Sequence, residues 1–123
     1  MSNTVTITRP PFSVIILTYN EDHNLPDCLA SLAGLESEIF VVDSGSTDRT
    51  RAIALAAGAK FIEHPFENYA AQRNWAQQNL PITTDWLLHL DADERLTGEL
   101  RDEIGALFAP DNSHRLAQAD GFL

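Results

Sequence analysis

Four short apolar runs alternate along the chain with segments whose apolar residues recur at helical spacing. Each run is rich in β-branched or other apolar residues and is bounded by turn-forming residues, as is typical of strands buried on both faces. Strands that alternate with helices form a mostly parallel sheet with helices on both faces. The pattern therefore predicts an α/β fold. The predicted strands span 12–17, 38–43, 60–64 and 85–91, and the predicted helices span 21–35, 46–59, 67–79 and 97–108.

Length and composition fit a single domain of this kind. The chain has 123 residues, of which 44% are hydrophobic, as is ordinary for a globular protein. We expect the α/β domain to occupy residues 12–109, after an N-terminal extension at 1–11. Residues 110–123 form a polar segment that leads into an interrupted strand. Since Cys28 is the only cysteine, an internal disulfide and a cysteine zinc cluster are excluded.

The charge balance narrows the possible partners. Asp and Glu number 18 and Lys and Arg number 8, which gives a formal net charge of −10. Nucleic-acid binding needs a basic surface, so we expect no nucleic-acid partner. The N-terminus lacks a signal-peptide cleavage site, and no run approaches the roughly 20 apolar residues of a membrane span. We therefore predict a cytoplasmic protein.

Polar clusters follow three of the predicted strands, at the edge where parallel sheets bind ligands. They read TYNED, DSGSTD and DADE. In DADE, Asp91 and Asp93 could hold Mg²⁺ or Mn²⁺ through hard oxygen ligands and leave positions open for water and phosphates. An acidic turn that begins a helix explains the same residues without a metal. His89 shares a strand face with Asp91, and we interpret it as a structural residue.

The other clusters contain side chains suited to a nucleoside pocket. Thr18, Asn20 and Glu21 follow the first strand. Asp43 ends the second strand, where its carboxylate could accept hydrogen bonds from a base or a ribose. Arg73 lies on the third predicted helix and could meet a phosphate or a base carbonyl. Helix capping explains Asn20 equally well without a ligand, and an exposed Arg on a helix such as Arg73 is usually just solvated. Asp43 differs, because it lies at the strand end and not in the first turn of a helix.

Four stretches together resemble the N-terminal, donor-binding part of family 2 glycosyltransferases of the GT-A fold. In order, they are SVIILTYNEDHNLPDCLASL, EIFVVDSGSTDRTRAIALAAGAK, AAQRNWA and DWLLHLDADERL. Their order and spacing over about residues 12–104 are far more specific than any one motif. The wording of VVDSGSTDRT and DADERL looks most like the subgroup that includes lipopolysaccharide-core β-glucosyltransferases.

The resemblance implies a Rossmann-like, nucleotide-binding half that binds a nucleotide-diphosphate sugar, with a UDP-sugar as the expected donor. The implied reaction is inverting transfer of the sugar to a glycan or lipid-linked acceptor in cell-envelope polysaccharide synthesis. The implied cofactor is Mn²⁺ or Mg²⁺, held by Asp91 and Asp93. The implied nucleotide contacts are Thr18, Tyr19, Asn20, Glu21, Asp43, Ser44, Arg73 and Asp91.

The resemblance also implies that the chain is only the donor-binding half. In this family the acceptor site and the catalytic base lie after the D-x-D motif, so we expect the base beyond Leu123. A sheet without its later strands has an open edge, which favours self-association. We therefore expect weak nucleotide binding and little activity from this chain alone. In the full-length protein, peripheral contact with the inner membrane is possible because related acceptors are often lipid-linked.

Three other interpretations fit part of the pattern. A phosphohydrolase of the haloacid dehalogenase type also has a D-x-D motif after a buried strand. There the motif follows the first strand and precedes a Thr, whereas here it follows the fourth and precedes Glu94 and Arg95. A sugar nucleotidyltransferase needs a basic, Gly-rich loop where this chain has TYNED. A non-catalytic nucleotide-binding module would share the predicted fold.

Overall fold

The four predicted strands form one parallel sheet. The structure is a computed structural model that describes residues 12–35 and 37–107. The strand order is β3-β2-β1-β4, and each neighbouring pair is parallel. The predicted α/β class is therefore confirmed, while the predicted segments 1–11 and 110–123 lie outside the described residues. The strands are β1 (Phe12–Thr18), β2 (Ser37–Asp43), β3 (Lys60–Glu63) and β4 (Leu87–Asp91).

Helices cover both faces of the sheet, as predicted. They are α1 (Leu25–Ala30), α2 (Thr50–Ala56), α3 (Tyr69–Asn79) and α4 (Gly98–Leu107). On one face, α1, α2 and α4 contribute Leu25, Ala54 and Ile104 to a core that includes Val14 and Ile16 of β1. Because successive side chains of a strand point to opposite faces, β1 is apolar on both and lies inside the sheet.

Among the described helices, α3 covers the other face. Ala76 of that helix and Leu80, which directly follows it, pack against Ile15 of β1 and Phe40 of β2. Ile15, Phe40 and Ala76 have no exposed surface. The helix α3 therefore packs on the face of the sheet to which Ile15 of β1 points.

All four helices begin later than the sequence pattern predicts, and the shift is largest for α1 and α2. The first was expected from residue 21, but residues 22–24 form a turn in which the Leu25 amide donates to the Glu21 carbonyl. The second was expected from residue 46, but it begins at Thr50 because Gly45, with φ +104°, turns the chain into a loop. Gly58 follows the end of that helix with φ +82°, a left-handed conformation that glycine adopts readily. Both late starts leave longer loops at the carboxyl edge of the sheet.

The sheet has two open edges within the described residues. β3 and β4 each pair with one strand there. Self-association through such an edge stays a prediction. Among the helices described, none combines the length and the apolar character needed to cross a membrane.

Glu38 connects β2 to its two neighbouring strands. Its carboxylate accepts hydrogen bonds from Ser13 Oγ of β1 at 2.9 Å and from Lys60 Nζ of β3 at 3.1 Å. The side chain is 9% exposed. Burial acts to raise the pKa of Glu38, but hydrogen bonds from Lys60, Ser13 and Thr83 outweigh it and hold the pKa below its usual range.

We predict that Glu38→Gln lowers the free energy of unfolding by about 1–2 kcal/mol near neutral pH, because charge-assisted hydrogen bonds are lost. The folded-state pKa of Glu38 lies below the unfolded value. The ionised carboxylate therefore makes its full contribution to the free energy of unfolding above the unfolded pKa. This contribution is lost as the pH falls through the folded pKa. Urea unfolding of both proteins at neutral pH and at about pH 3 should show the difference shrinking in acid.

Glu63→Gln is the matched control, since Glu63 lies on neighbouring β3 with an exposed side chain. Its effect should stay within about 0.5 kcal/mol at either pH. A Glu38→Gln effect of the same size in acid as at neutral pH would contradict the prediction.

Candidate nucleotide and metal site

A cavity of about 470 Å³ opens at the carboxyl edge of the sheet. Ligands of parallel α/β sheets bind at this edge. The walls come from the segments that follow β1, β2 and β4 and from the connection between β3 and α3. The lining residues are Leu17, Thr18, Tyr19, Glu21, Ser44, Phe66, Tyr69, Asp91, Ala92 and Asp93.

The cavity brings together most of the residues predicted from sequence to form a site. They come from three segments that are far apart in the chain but adjacent in the sheet, since β1 lies between β2 and β4. Their contact with a nucleotide or a metal stays a prediction. The predicted residues that line the cavity are Thr18, Tyr19, Glu21, Ser44, Asp91 and Asp93.

Asp43 ends β2, as predicted, and its side chain is buried. It is 1% exposed and does not line the cavity. Its carboxylate accepts hydrogen bonds from the amides of Gly45 and Ser46 at 2.9 and 2.7 Å. The hydroxyls of Thr18 and Ser46 donate to the other carboxylate oxygen. Asp43 therefore shapes the loop after β2, and Ser44 beside it faces the cavity. A contact between Asp43 and a base stays a prediction.

Asn20 connects the loops that follow β1 and β2. Its backbone amide donates to Ser46 Oγ at 2.7 Å, and its side-chain oxygen accepts a hydrogen bond from the Thr47 backbone amide at 2.8 Å. Its φ of +50° lies in the left-handed region, where Asn is tolerated better than most residues. Asn20 does not line the cavity. Asn20 holds the two loops together, and its contact with a nucleotide stays a prediction.

The loop after β4 is held from behind by α1. Ser31 Oγ accepts a hydrogen bond from the Leu96 amide at 3.0 Å, and Glu94 Oε1 accepts one from the Asp91 amide at 2.7 Å. The Cys28 thiol donates to the Asp91 carbonyl at 3.8 Å. Burial raises the pKa of Cys28 to about 12, so it remains a protonated donor at neutral pH. These contacts use the backbone of the loop.

The side chains of Asp91 and Asp93, here called the acidic pair, stay available to the cavity. The Asp91 side chain is 41% exposed, and Asp93 is exposed with no hydrogen bond or ion pair inside the described ranges. No group of three or more His, Cys, Asp or Glu side chains suited to a metal occurs among the described residues. The acidic pair thus fits a hard cation that takes its other oxygen ligands from phosphates and water, as Mg²⁺ commonly does.

Arg73 lies beside the acidic pair without lining the cavity. Its Nη2 atom is 3.7 Å from Asp91 Oδ1, and both side chains are more than 40% exposed. His89 lies on the same strand as Asp91, with Nε2 placed 2.8 Å from Gln77 Nε2. Burial and the nearby Arg73 hold the pKa of His89 below its usual range, which favours the neutral ring. His89 therefore contacts α3 through Gln77, and its structural role stays an interpretation.

Two aromatic residues of the cavity were not identified as site residues from the sequence. Phe66 and Tyr69 lie in and after the connection from β3 to α3. This connection starts at the carboxyl end of a parallel strand, as the other site loops do. In the sequence, the signal that could have identified Phe66 and Tyr69 was the presence of aromatic residues in a short connection at that edge.

A parallel sheet with both faces covered and a cavity at its carboxyl edge defines a Rossmann-like α/β domain of the ligand-binding type. Comparison with known proteins then identifies the family. The family model for glycosyl transferase family 2 matches residues 13–115, and the chain belongs to that family.

Similar proteins include a glycosyltransferase of Rickettsia felis, which is 42% identical over 103 residues, covering 84% of this chain and 36% of that protein. The lipopolysaccharide core biosynthesis glycosyltransferase LpsC of Rhizobium meliloti is 37% identical over 108 residues, covering 84% of this chain and 39% of LpsC. The chain therefore spans less than half the length of these relatives.

Solved structures agree on the fold. TarS 1–349 of S. aureus, crystallised in complex with UDP, has a TM-score of 0.60 and 28% identity, covering 84% of this chain and 32% of that chain. Glucosyl-3-phosphoglycerate synthase from Mycobacterium tuberculosis, crystallised with Mn²⁺, UDP and glucosyl-3-phosphoglycerate, has a TM-score of 0.55 and 23% identity. The match covers 68% of this chain and 35% of the synthase chain. At 23% identity the likeness concerns the fold alone. The GT-A fold expected from the resemblance is confirmed.

We predict that Asp43→Ala lowers the free energy of unfolding by about 2–3 kcal/mol, because the amides of Gly45 and Ser46 lose their buried acceptor. Asp43→Asn should cost less, since one side-chain oxygen remains and the hydroxyls of Thr18 and Ser46 can turn to accept from the new amide. Urea unfolding monitored by circular dichroism measures both. Asp93→Ala removes an exposed carboxylate and should stay within about 0.5 kcal/mol of the parent. Equal losses for Asp43→Ala and Asp93→Ala would contradict the structural role of Asp43.

Proposed function

We propose that this chain binds the sugar donor of a family 2 glycosyltransferase, and that the donor is a nucleotide-diphosphate sugar, most simply a UDP-sugar. The observation that carries the proposal is the shared cavity. The acidic pair after β4 lines the same cavity as Thr18 and Ser44, which belong to the two neighbouring strand ends. A hard-cation site beside a polar nucleoside pocket matches the chemistry of a nucleoside diphosphate.

The comparisons support the nucleotide and the class of reaction. TarS, with 28% identity to this chain, was crystallised with UDP. LpsC acts in lipopolysaccharide core biosynthesis, by its name. We accordingly propose that the full-length protein transfers a sugar to a glycan or lipid-linked acceptor of the cell envelope, and that a lipid-linked acceptor would bring it to the membrane surface.

In this proposal the acidic pair binds Mn²⁺ or Mg²⁺ together with the donor. A divalent cation there would offset the negative charge that develops on the departing diphosphate. Arg73, with its guanidinium 3.7 Å from Asp91, adds a fixed positive charge on the same side of the cavity. Glu94 and Ser31 keep the loop backbone in place, so that the carboxylates need little rearrangement when the donor binds.

The transfer itself is inverting in this proposal. An acceptor hydroxyl attacks the anomeric carbon, the bond from that carbon to the diphosphate oxygen breaks, and the nucleoside diphosphate leaves with the bonding electrons. The described residues bind and orient the donor for this step. We assign the catalytic base to none of them, so the proposal for this chain is donor binding.

The experiment that tests the proposal is titration of the 123-residue chain with UDP, with and without Mn²⁺, by isothermal calorimetry. We predict that binding needs the metal and that Asp93→Ala weakens it by at least about tenfold, since even outer contacts of metal sites cost about 10–100-fold. Asp102→Ala is the matched control, because Asp102 is an exposed aspartate on α4 that does not line the cavity. It should bind UDP like the parent.

Three outcomes would count against the proposal. Binding of UDP that is equal with and without Mn²⁺ would favour a non-catalytic nucleotide-binding module. No binding under either condition would remove the donor site altogether. Hydrolysis of a simple phosphate ester that Asp91→Asn abolishes would instead support a phosphohydrolase, in which the first aspartate of the motif is the nucleophile.

A further inference from the structure

Gln72 of α3 is a polar residue buried near the cavity. Its exposed fraction is 2%, and the other buried residue of that helix is the apolar Ala76. A buried amide costs free energy unless its donors and its acceptor are paired within the protein. The groups that pair with Gln72 therefore show which parts of the structure it holds in place.

The orientation of the Gln72 amide is determined by His64. Gln72 Nε2 donates to the His64 carbonyl at 3.0 Å, and Gln72 Oε1 lies 2.8 Å from His64 Nδ1. A carbonyl can only accept, so the amide nitrogen must face it and the amide oxygen must face the ring. The His64 ring also stacks on Trp75 with centroids 3.9 Å apart. The Gln72 nitrogen is thus kept at one place.

The same nitrogen faces Ser44, which lines the cavity. Gln72 Nε2 donates to Ser44 Oγ at 3.5 Å, the longest of its contacts. Because the His64 carbonyl holds the nitrogen there, its N–H dipole acts on the hydroxyl even at this distance. Inside a protein such a fixed dipole is felt more strongly than in water. The lone pairs of Ser44 Oγ turn toward Gln72, and the hydroxyl proton turns away from it.

The backbone of Ser44 is already fixed by the neighbouring strands. The Ser44 amide donates to the Thr18 carbonyl at 3.0 Å. The Asp43 carbonyl accepts from the His64 amide at 2.9 Å. The peptide group between Asp43 and Ser44 is therefore held on both sides. Rotation of the Ser44 hydroxyl is the freedom that remains for Gln72 to restrict.

The hydroxyls of Thr18 and Ser44 have opposite hydrogen-bonding roles in the cavity. Thr18 Oγ1 donates to Asp43 Oδ1 at 2.7 Å, so its proton is used inside the protein. The Ser44 hydroxyl accepts from Gln72 and has no acceptor for its own proton within the described residues. The cavity therefore offers a hydrogen-bond donor at Ser44, whereas the Thr18 oxygen can only accept from a ligand.

We propose that Gln72 is a positioning residue of the donor site, which turns the Ser44 hydroxyl so that it donates to an acceptor oxygen of the bound nucleotide. The inference rests on the proposed function for the identity of the ligand. It adds a buried residue that does not line the cavity, and it assigns the direction of one hydrogen bond.

The experiment is a double-mutant cycle on UDP affinity, measured by calorimetry with Mn²⁺ and the 123-residue chain. Ser44→Ala should weaken binding by about tenfold, as the loss of one hydrogen bond does. Gln72→Met keeps the length of the side chain and removes its donor. It should weaken binding by about threefold, because the released hydroxyl is spread over about three staggered rotamers. Added to Ser44→Ala, it should cost less than about 1.5-fold more.

Two further variants control for effects on folding. Gln78→Met makes the same change at an exposed position of α3 that does not line the cavity, and it should bind UDP like the parent. Urea unfolding measures the stability of every variant. If Gln72→Met is too unstable to study, Gln72→Asn takes its place in the cycle, because its shorter amide cannot reach His64 and Ser44 together.

The outcomes separate this inference from the proposed function. If Gln72→Met binds UDP like the parent while Asp93→Ala does not, the positioning role is wrong and the donor site stands. If the double variant loses the product of the two single effects, about 30-fold, Gln72 acts independently of Ser44 and the positioning role is again wrong. If the parent does not bind UDP with Mn²⁺, the proposed function and this inference are both wrong.

Discussion

The parallel pairing of β1 with β2 and β4 is the constraint on which the site depends. In a parallel sheet all strands end at the same edge, and here Thr18 pairs with Asp43 while Leu17 pairs with Asp91. Residues 18, 43 and 91 are thereby brought together although long stretches of chain separate them. The apolar faces of β1 determine its inner position, so core packing and site assembly have one physical cause.

Strand ends alone do not determine the role of a carboxylate. Asp43 and Asp91 both end strands that neighbour β1, yet Asp43 is almost fully buried and Asp91 is nearly half exposed. The difference lies in the loop after each strand. Gly45 turns the chain back so that amide and hydroxyl donors surround Asp43, whereas the loop after Asp91 is tied to α1 through its backbone. One carboxylate is satisfied inside the protein, and the other is left to the cavity.

Sequence patterns predicted the fold well because the fold depends on periodicity. The apolar runs and helical spacings are local signals, and every predicted strand and helix is present with shifted ends. The role of Asp43 was harder to predict, because a carboxylate at a strand end looks the same whether its donors come from a ligand or from its own loop. Gln72 could not be identified either, since its contacts with His64 and Ser44 depend on how α3 packs on the sheet.

Electrostatics explains why an acidic chain can present this cavity to an anionic ligand. The chain carries a formal net charge of −10, and Glu21, Asp91 and Asp93 add negative charge to the cavity wall itself. A diphosphate would be repelled by such a wall unless a cation lay between them. Arg73, which lies outside the cavity, offsets part of the negative charge of Asp91. Because the acidic pair is exposed, water screens the remaining charge. The carboxylates are therefore tolerated in the free protein, and in the proposed donor site a bound divalent ion would separate them from the diphosphate.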